Sequence, residues 1–175
     1  MRGNSILLCC LAAALLTAGG VSAEEPTPTL RVGTFDSRGV ALAYGRSDRP
    51  DCMMAKVAEL MKEYEQAKAE GNEERVKELE KTGPAMQEQI HKQVFGGAPI
   101  DDILALIEDD LPDVAAAAGV DLIVSGVLHG GPGVEMVDIT LEMCAPFGPD
   151  DETLKMIEGI LLVPTIDESE LSNDH

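Results

Sequence analysis

The segment best suited to catalysis is Asp36-Ser37-Arg38-Gly39, which directly follows a predicted short strand. Aspartic proteases use two carboxylates that share a proton. The chain has no second copy of this segment, and no positioned base partner for Ser37 can be named. We therefore expect Asp36 or Ser37 to cap the next helix, and we predict that the protein is not an enzyme.

Residue types that can bind metals or cofactors are present, but they do not occur at the spacing that such sites require. His91 and His129 have no cysteine or histidine at a metal-ligand distance along the chain. The acidic runs 108–110 and 150–152 lack the alternating ligands and central glycine of a Ca²⁺ loop. The Gly130–Gly133 turn is not followed by the Lys-Ser/Thr helix of a phosphate-binding loop. We predict no metal site and no cofactor.

Residues 1–23 read as a cleavable signal peptide. Arg2 is followed by an apolar run from Ile6 to Leu16 and then by Val21-Ser22-Ala23. The run is shorter than the about 20 residues that span a bilayer. We predict export, cleavage after Ala23 and no stable membrane insertion.

Two of the four cysteines lie in the predicted signal peptide, which leaves Cys52 and Cys144. In an oxidising compartment these two residues can form a disulfide. The alternative is a pair of buried thiols.

The chain is strongly acidic, with 32 Asp and Glu against 13 Lys and Arg and a formal net charge of -19. Such a charge repels nucleic acid and anionic lipid surfaces, and it favours cationic partners or simply solubility. We predict one domain over residues 24–163. The acidic tail, residues 164–175, is predicted to be disordered.

Apolar residues at alternating steps of four and three predict two long helices over about residues 51–95. Gly71-Asn72 supplies a turn between them, and Pro84 is expected to kink the second helix. We predict an antiparallel helical hairpin, the arm. Its seam or client-contact residues are Met53, Met54, Val57, Leu60, Met61, Tyr64, Val76, Leu79, Met86 and Ile90. The methionines either adapt to varied apolar partners or fill the seam.

Short β segments flank this arm. The patterns predict strands over 30–36, 120–125 and 127–129, a turn at 130–133 and an extended segment over 134–137, with a helix over 100–118. The predicted fold class is α+β, a small antiparallel β body with a protruding helical hairpin. Such a body is too small to close its own sheet, so we predict a homo-oligomer whose body includes Val32, Leu122 and Val124.

Four features carry a family resemblance: the order of elements, the strand Asp121-Leu122-Ile123-Val124, the helix start Val137-Asp138-Ile139-Thr140 and the first strand at 31–35. In these features the chain resembles the Skp (OmpH-type) family of periplasmic chaperones. The resemblance implies a periplasmic trimer. Strands of three chains would form its β body, and helical arms would enclose unfolded outer-membrane proteins.

These observations predict an exported, chaperone-like holdase oligomer that binds unfolded or envelope polypeptides. One alternative is a structural or scaffolding envelope oligomer without chaperone activity, which the short arm and the acidity favour. A hydrolase that uses Asp36 or Ser37 is the third candidate.

Overall fold

The computed structural model describes residues 29–166. The predicted signal peptide and residues 167–175 of the predicted tail lie outside this range. The strands are β1 (Leu30–Thr34), β2 (Leu122–Val124) and β3 (Val134–Asp138). The helices are α1 (Ser37–Gly45), α2 (Met53–Glu70), α3 (Glu73–Val94), α4 (Asp101–Leu104), α5 (Leu111–Ala118), α6 (Thr140–Cys144) and α7 (Asp151–Leu161). Two 3-10 segments, Ala105–Asp110 and Ala145–Phe147, follow α4 and α6.

The three strands form a parallel sheet in the order β2-β1-β3. Val32 on β1 lies opposite Leu122 on β2 and Met136 on β3. The predicted antiparallel β body is therefore wrong. Residues 127–129 form no strand, and the chain after β2 does not turn back beside it but continues to the far side of β1.

The connection from β2 to β3 is long enough to cross the central strand, and this explains the parallel arrangement. It runs from 125 to 133, and a Cβ atom built on Gly130 would lie 3.9 Å from Met136 Sδ. Met136 points to the sheet face opposite the helices, because it shares a row with Val32 rather than with Gly33. The β1-to-β2 connection carries α1 to α5 on the other face. The β2-to-β3 connection crosses the sheet in the opposite direction to the β1-to-β2 connection and on the opposite face. The two crossover connections therefore have the same handedness.

The core lies between the helices and one face of the sheet. Its most deeply buried residues are Val40, Ile103, Ile107, Ile139, Met143 and Ile157. Gly33 at the centre of β1 permits this packing, because a Cβ atom there would lie 2.6 Å from Ile139 Cδ1. The helix layer thus approaches the sheet more closely than a side chain at this position would allow.

Local signals place most helix ends. The Asp36 carboxylate caps α1, as predicted, by accepting from Arg38 N at 2.9 Å, and the Asp150 carboxylate caps α7 by accepting from Thr153 N at 2.7 Å. Pro112 lies in the first turn of α5, where its missing backbone N–H costs no hydrogen bond within the helix. Gly119 ends α5 with φ at 64°.

The beginning of the predicted disordered tail is placed against the body. Ile166 N donates to Phe95 O at 3.1 Å, just beyond the end of α3. A Cβ atom built on Gly97 would lie 3.4 Å from Thr165 Cγ2. Residues 164–166 therefore lie alongside the segment that follows α3.

Candidate functional site

The hairpin of α2 and α3 is tied to the body at its base. Lys56 Nζ donates to Tyr44 Oη at 2.9 Å, which joins α2 to α1. Gln93, which is buried, donates to Asp102 Oδ1 at 3.0 Å and to Pro99 O at 3.2 Å, and these bonds join α3 to the start of α4. Both helices are therefore fixed where they leave the core.

The far end of the hairpin is closed by its own contacts. Gly71, at φ 69°, ends α2, and Asn72 begins α3 by accepting from Arg75 N at 3.1 Å. Arg75 also bridges the two helices through Glu63 at 2.5 Å. Helix α3 runs unbroken from Glu73 to Val94 and contains Pro84 within it. At about 1.5 Å per residue each helix is roughly 27–33 Å long.

The seam residues named from the sequence face inward to different degrees. Met53 and Leu79 are buried, whereas six others are half-buried: Val57, Leu60, Tyr64, Val76, Met86 and Ile90. Opposite Leu60 stands Gly83, where a Cβ atom would lie 3.4 Å from Leu60 Cδ2. Tyr64 Oη donates to Glu80 Oε1 at 3.3 Å across the helices. Ala67 and Leu79 are buried outside the core cluster of the body, so the seam is a separate, thin apolar layer.

Two of the arm methionines point away from this seam. Met54 is 63% exposed and Met61 is 64% exposed. They lie seven positions apart, which is about two helical turns, so both occupy one side of α2. The hairpin therefore presents flexible thioether side chains to solvent.

Charge divides the described chain into two regions. The hairpin, residues 53–94, has seven Lys and Arg against nine Asp and Glu, so it is nearly neutral. The other described residues have five Lys and Arg against seventeen Asp and Glu. The negative charge is thus concentrated on the body and is weak on the arm.

A polar cleft of ≈ 550 Å³ lies at the carboxyl ends of the strands, where parallel sheets commonly bind ligands. It brings together Asp36 and Ser37 with a second carboxylate, Asp138 at the end of β3. Thr140 Oγ1 links them, since it accepts from Asp36 N at 3.0 Å and donates to Asp138 Oδ1 at 2.6 Å. In the sequence, Asp138 belongs to the helix start Val137-Asp138-Ile139-Thr140. An acidic residue at the end of a strand could have indicated the cleft, but its proximity to Asp36 follows only from the sheet topology.

The Asp36 carboxylate forms an ion pair with the buried Arg38. Arg38 Nη2 lies 2.7 Å from Asp36 Oδ2, and Arg38 Nη1 donates to Val163 O at 2.9 Å. Burial opposes ionisation of Asp36, but the hydrogen bonds and charge of Arg38 outweigh it, and the pKa of the carboxyl is lowered. The ion pair with Arg38 thus favours the ionised form of Asp36. Within residues 29–166, Ser37 Oγ has no hydrogen-bond partner.

The two cysteines are buried free thiols in this structure. Cys52 caps α2, with its sulfur accepting from Ala55 N at 3.4 Å. Burial raises the pKa of the Cys144 thiol to about 12, and the nearby charge of Glu142 adds to this shift. Cys144 therefore remains protonated and unreactive at neutral pH.

The residues predicted for the oligomer body share one face of the sheet. Val32, Leu122 and Val124 alternate with Gly33 and Ile123, which face the helices. We call this side the outer sheet face. Apart from Asp138 at one end, its side chains are uncharged: Leu30, Val32, Thr34, Leu122, Val124, Val134 and Met136. Leu30, Leu122 and Met136 are 43–49% exposed.

Leu128 stands fully exposed in the connection that crosses this face. The outer sheet face and this connection therefore form an uncharged surface on the acidic body.

No group of three or more His, Cys, Asp or Glu residues in the described chain is arranged to hold a metal ion. None of the described helices is long and apolar enough to cross a membrane. His129 lies in the exposed crossing connection, and His91 packs edge-on against Phe95 with 5.8 Å between ring centroids. Comparison with family models, with curated proteins and with solved structures finds no match to the chain.

Proposed function

We propose that the protein is an exported, chaperone-like protein of the cell envelope that holds unfolded or envelope polypeptides through its hairpin. The supporting observation is the pair of exposed methionines, Met54 and Met61, on one side of α2. Methionine is flexible and polarisable, so it adapts to apolar partners of varied shape. The near-neutral charge of the hairpin lets it approach clients of either sign.

Aggregation assays with an unfolding model protein test this role. Replacing Met54 and Met61 with glutamine keeps the side-chain length and helix propensity but removes the apolar contacts. Losing about 1.4 kcal/mol of apolar burial weakens client affinity by about tenfold, so the protein concentration needed for suppression should rise by about that factor.

The matched control is Met156→Gln on α7, a methionine that is 42% exposed on the body. It should leave suppression unchanged. Equal loss in the hairpin variant and the control, or full suppression by the hairpin variant, would remove the hairpin from the proposed function. Absence of suppression by the wild-type protein would reject the holdase.

A scaffolding oligomer without chaperone activity is the second candidate, and the outer sheet face favours it. Parallel sheets are normally covered on both faces. The negative body repels further copies of itself, so two copies would meet with the smallest electrostatic cost on an uncharged face. We propose that this face joins copies of the chain, and the family resemblance implies three copies.

Light scattering across a salt series tests this assembly. Screening of like charges should tighten the oligomer as salt rises, because the Debye length shortens from about 10 Å at 0.1 M to about 3 Å at 1 M. The double variant Leu122→Lys with Met136→Lys should be monomeric. The control, Leu162→Lys with Val163→Lys at two other exposed positions, should remain oligomeric. A folded wild-type monomer at every salt concentration would reject the oligomer.

A further inference from the structure

A second surface feature of the body is an apolar groove between α5 and the α6 region. Its volume is ≈ 240 Å³, and Val114, Ala117, Ala145 and Pro146 form its apolar part. Val114 is buried in the body core, and Ala117 stands exposed on α5. None of the lining residues belongs to the hairpin or to the outer sheet face, so this groove is separate from both surfaces discussed above.

Three acidic residues also line this groove, and their side chains are called its rim below: Asp110 and Asp113 from the α5 side and Glu142 from α6. Within residues 29–166, none of the three accepts a hydrogen bond or forms an ion pair. Arg49 interacts electrostatically with Asp110, but its guanidinium donates to Asp51 at 3.0 Å. The rim therefore carries negative charge that no described cation neutralises.

The size and composition of the groove restrict its occupant. Small-molecule sites usually enclose about 300–1,000 Å³ and include several convergent polar groups. This groove is smaller, and its floor is formed by aliphatic side chains and one proline. It has room for one or two aliphatic side chains, and the charge at its rim selects cations beside them.

We propose that the groove docks a cationic polypeptide segment in which an aliphatic side chain is flanked by lysine or arginine. The aliphatic side chain packs on Val114, Ala117 and Pro146, and the flanking cations reach Asp110, Asp113 and Glu142. This surface does not rest on the proposed holdase activity. The proposed cationic partner binds the acidic body and not the hairpin, which is nearly neutral.

Fluorescence anisotropy with the full chain tests the docking. The probe is a short labelled peptide with a central Lys-Leu-Lys, and the comparison peptides carry Glu-Leu-Glu or Lys-Ser-Lys instead. We expect binding of the first peptide only, weakened by added salt. Binding of the Lys-Ser-Lys peptide with equal affinity would show nonspecific attraction to an acidic surface and would overturn the proposal.

Substitutions on α5 locate the binding. Ala117→Lys places a cation and a long side chain in the groove, whereas Ala116→Lys adds the same residue at the adjacent exposed position, which does not line it. Both positions are exposed, so neither variant should unfold the protein. We expect Ala117→Lys to abolish binding and Ala116→Lys to retain it. Equal binding by the two variants would overturn the proposal.

Neutralising the rim provides the second measurement. The triple variant Asp110→Asn, Asp113→Asn and Glu142→Gln should bind the Lys-Leu-Lys peptide about tenfold more weakly, as expected for the loss of two or three exposed ion pairs. The matched control, Asp48→Asn with Asp101→Asn and Glu158→Gln, changes the net charge equally. An equal loss in the control would assign the binding to overall charge and reject the groove.

Discussion

The body and the hairpin bury their apolar residues in different ways. In the body, Ile139 and Ile157 are completely buried between the sheet and several helices. In the hairpin, the seam between two helices buries Ala67 and Leu79, while residues such as Leu60 remain half-buried. The body therefore resists opening as a unit, whereas the hairpin is held by a layer only two helices thick. A region with few buried contacts opens locally at low cost, and such opening would serve the holdase role proposed above.

The largest effect is expected from Ile139→Ala in the body. This change removes buried methyl and methylene groups and leaves a cavity against Gly33, so the free energy of unfolding should fall by about 2–5 kcal/mol. Urea unfolding followed by circular dichroism measures the loss. Leu162→Ala, at an 86% exposed position, should change stability little. If the two variants were equally stable, Ile139 would not be part of a tightly packed core.

A polar substitution in the hairpin should produce a different kind of loss. Leu60→Asp places a carboxylate opposite Gly83 in the seam, at a local cost of about 2–4 kcal/mol from lost burial and desolvation. We expect helix content to fall while the body keeps its cooperative unfolding transition. Hydrogen exchange should show faster exchange in α2 and α3 only.

Met61→Asp is the matched control for Leu60→Asp, because it adds the same carboxylate at a neighbouring position that faces solvent. It should keep the hairpin helical. Simultaneous unfolding of body and hairpin in Leu60→Asp would show that the two regions are one cooperative unit.

The contribution of the Asp36–Arg38 ion pair to the stability of the body should depend on pH. Asp36→Asn keeps the helix cap but leaves a buried guanidinium without its carboxylate, so stability at neutral pH should fall by about 1–3 kcal/mol. Because the pKa of Asp36 in the folded protein is below its usual value of 3.8, the contribution of the pair is present above that value. It is lost as the pH falls through the lowered folded-state pKa.

Urea titrations at several pH values should therefore show the wild type and Asp36→Asn converging below about pH 3.8. Asp48→Asn, at an exposed position, provides the control. A constant difference between the wild type and Asp36→Asn at every pH would contradict the charge-based explanation.

The smallest effect is expected at the far end of the hairpin. Gly71→Ala forces an L side chain into the left-handed region at φ 69° and should cost about 1 kcal/mol of local stability. Hydrogen exchange at the ends of α2 and α3 is the measurement. Gly126→Ala, where φ is not positive and nothing lies within 4 Å, should have almost no effect. A global loss of stability in Gly71→Ala would mean that the turn controls the body as well.

Local sequence signals were sufficient for the two hairpin helices, α1 and α7, but not for the sheet. The single helix predicted over 100–118 is divided into α4, a 3-10 segment and α5. The apolar spacing, Gly71-Asn72 and the caps at Asp36 and Asp150 act within a few residues, and α1, α2, α3 and α7 lie where these signals place them. The relative direction of two strands depends instead on the path that the connection between them takes across the sheet. The glycine-rich segment at 130–133 resembles a hairpin turn, yet the connection that contains it passes over β1 and leads to a parallel partner.

The candidate surfaces depend on the same long-range information. The outer sheet face follows from strand alternation, so Val32, Leu122 and Val124 could be named together from the sequence. The groove could not, because Asp110 and Glu142 are brought together only by the packing of α5 against α6. Likewise, Met54 and Met61 were grouped with the seam residues, and only the pairing of α2 with α3 distinguishes the side that faces solvent.

The central position of the first strand affects the order in which the chain can fold. Arg31 N on β1 donates to Asp121 Oδ2, 90 residues later, and β3 follows later still. Contacts between distant residues form slowly because a long loop must close first. During synthesis, β1 emerges well before both of its partners, whereas α2 and α3 are adjacent and can pair as soon as both are present. The sheet therefore completes last, only after residues 134–138 have emerged, whereas the hairpin can form well before that.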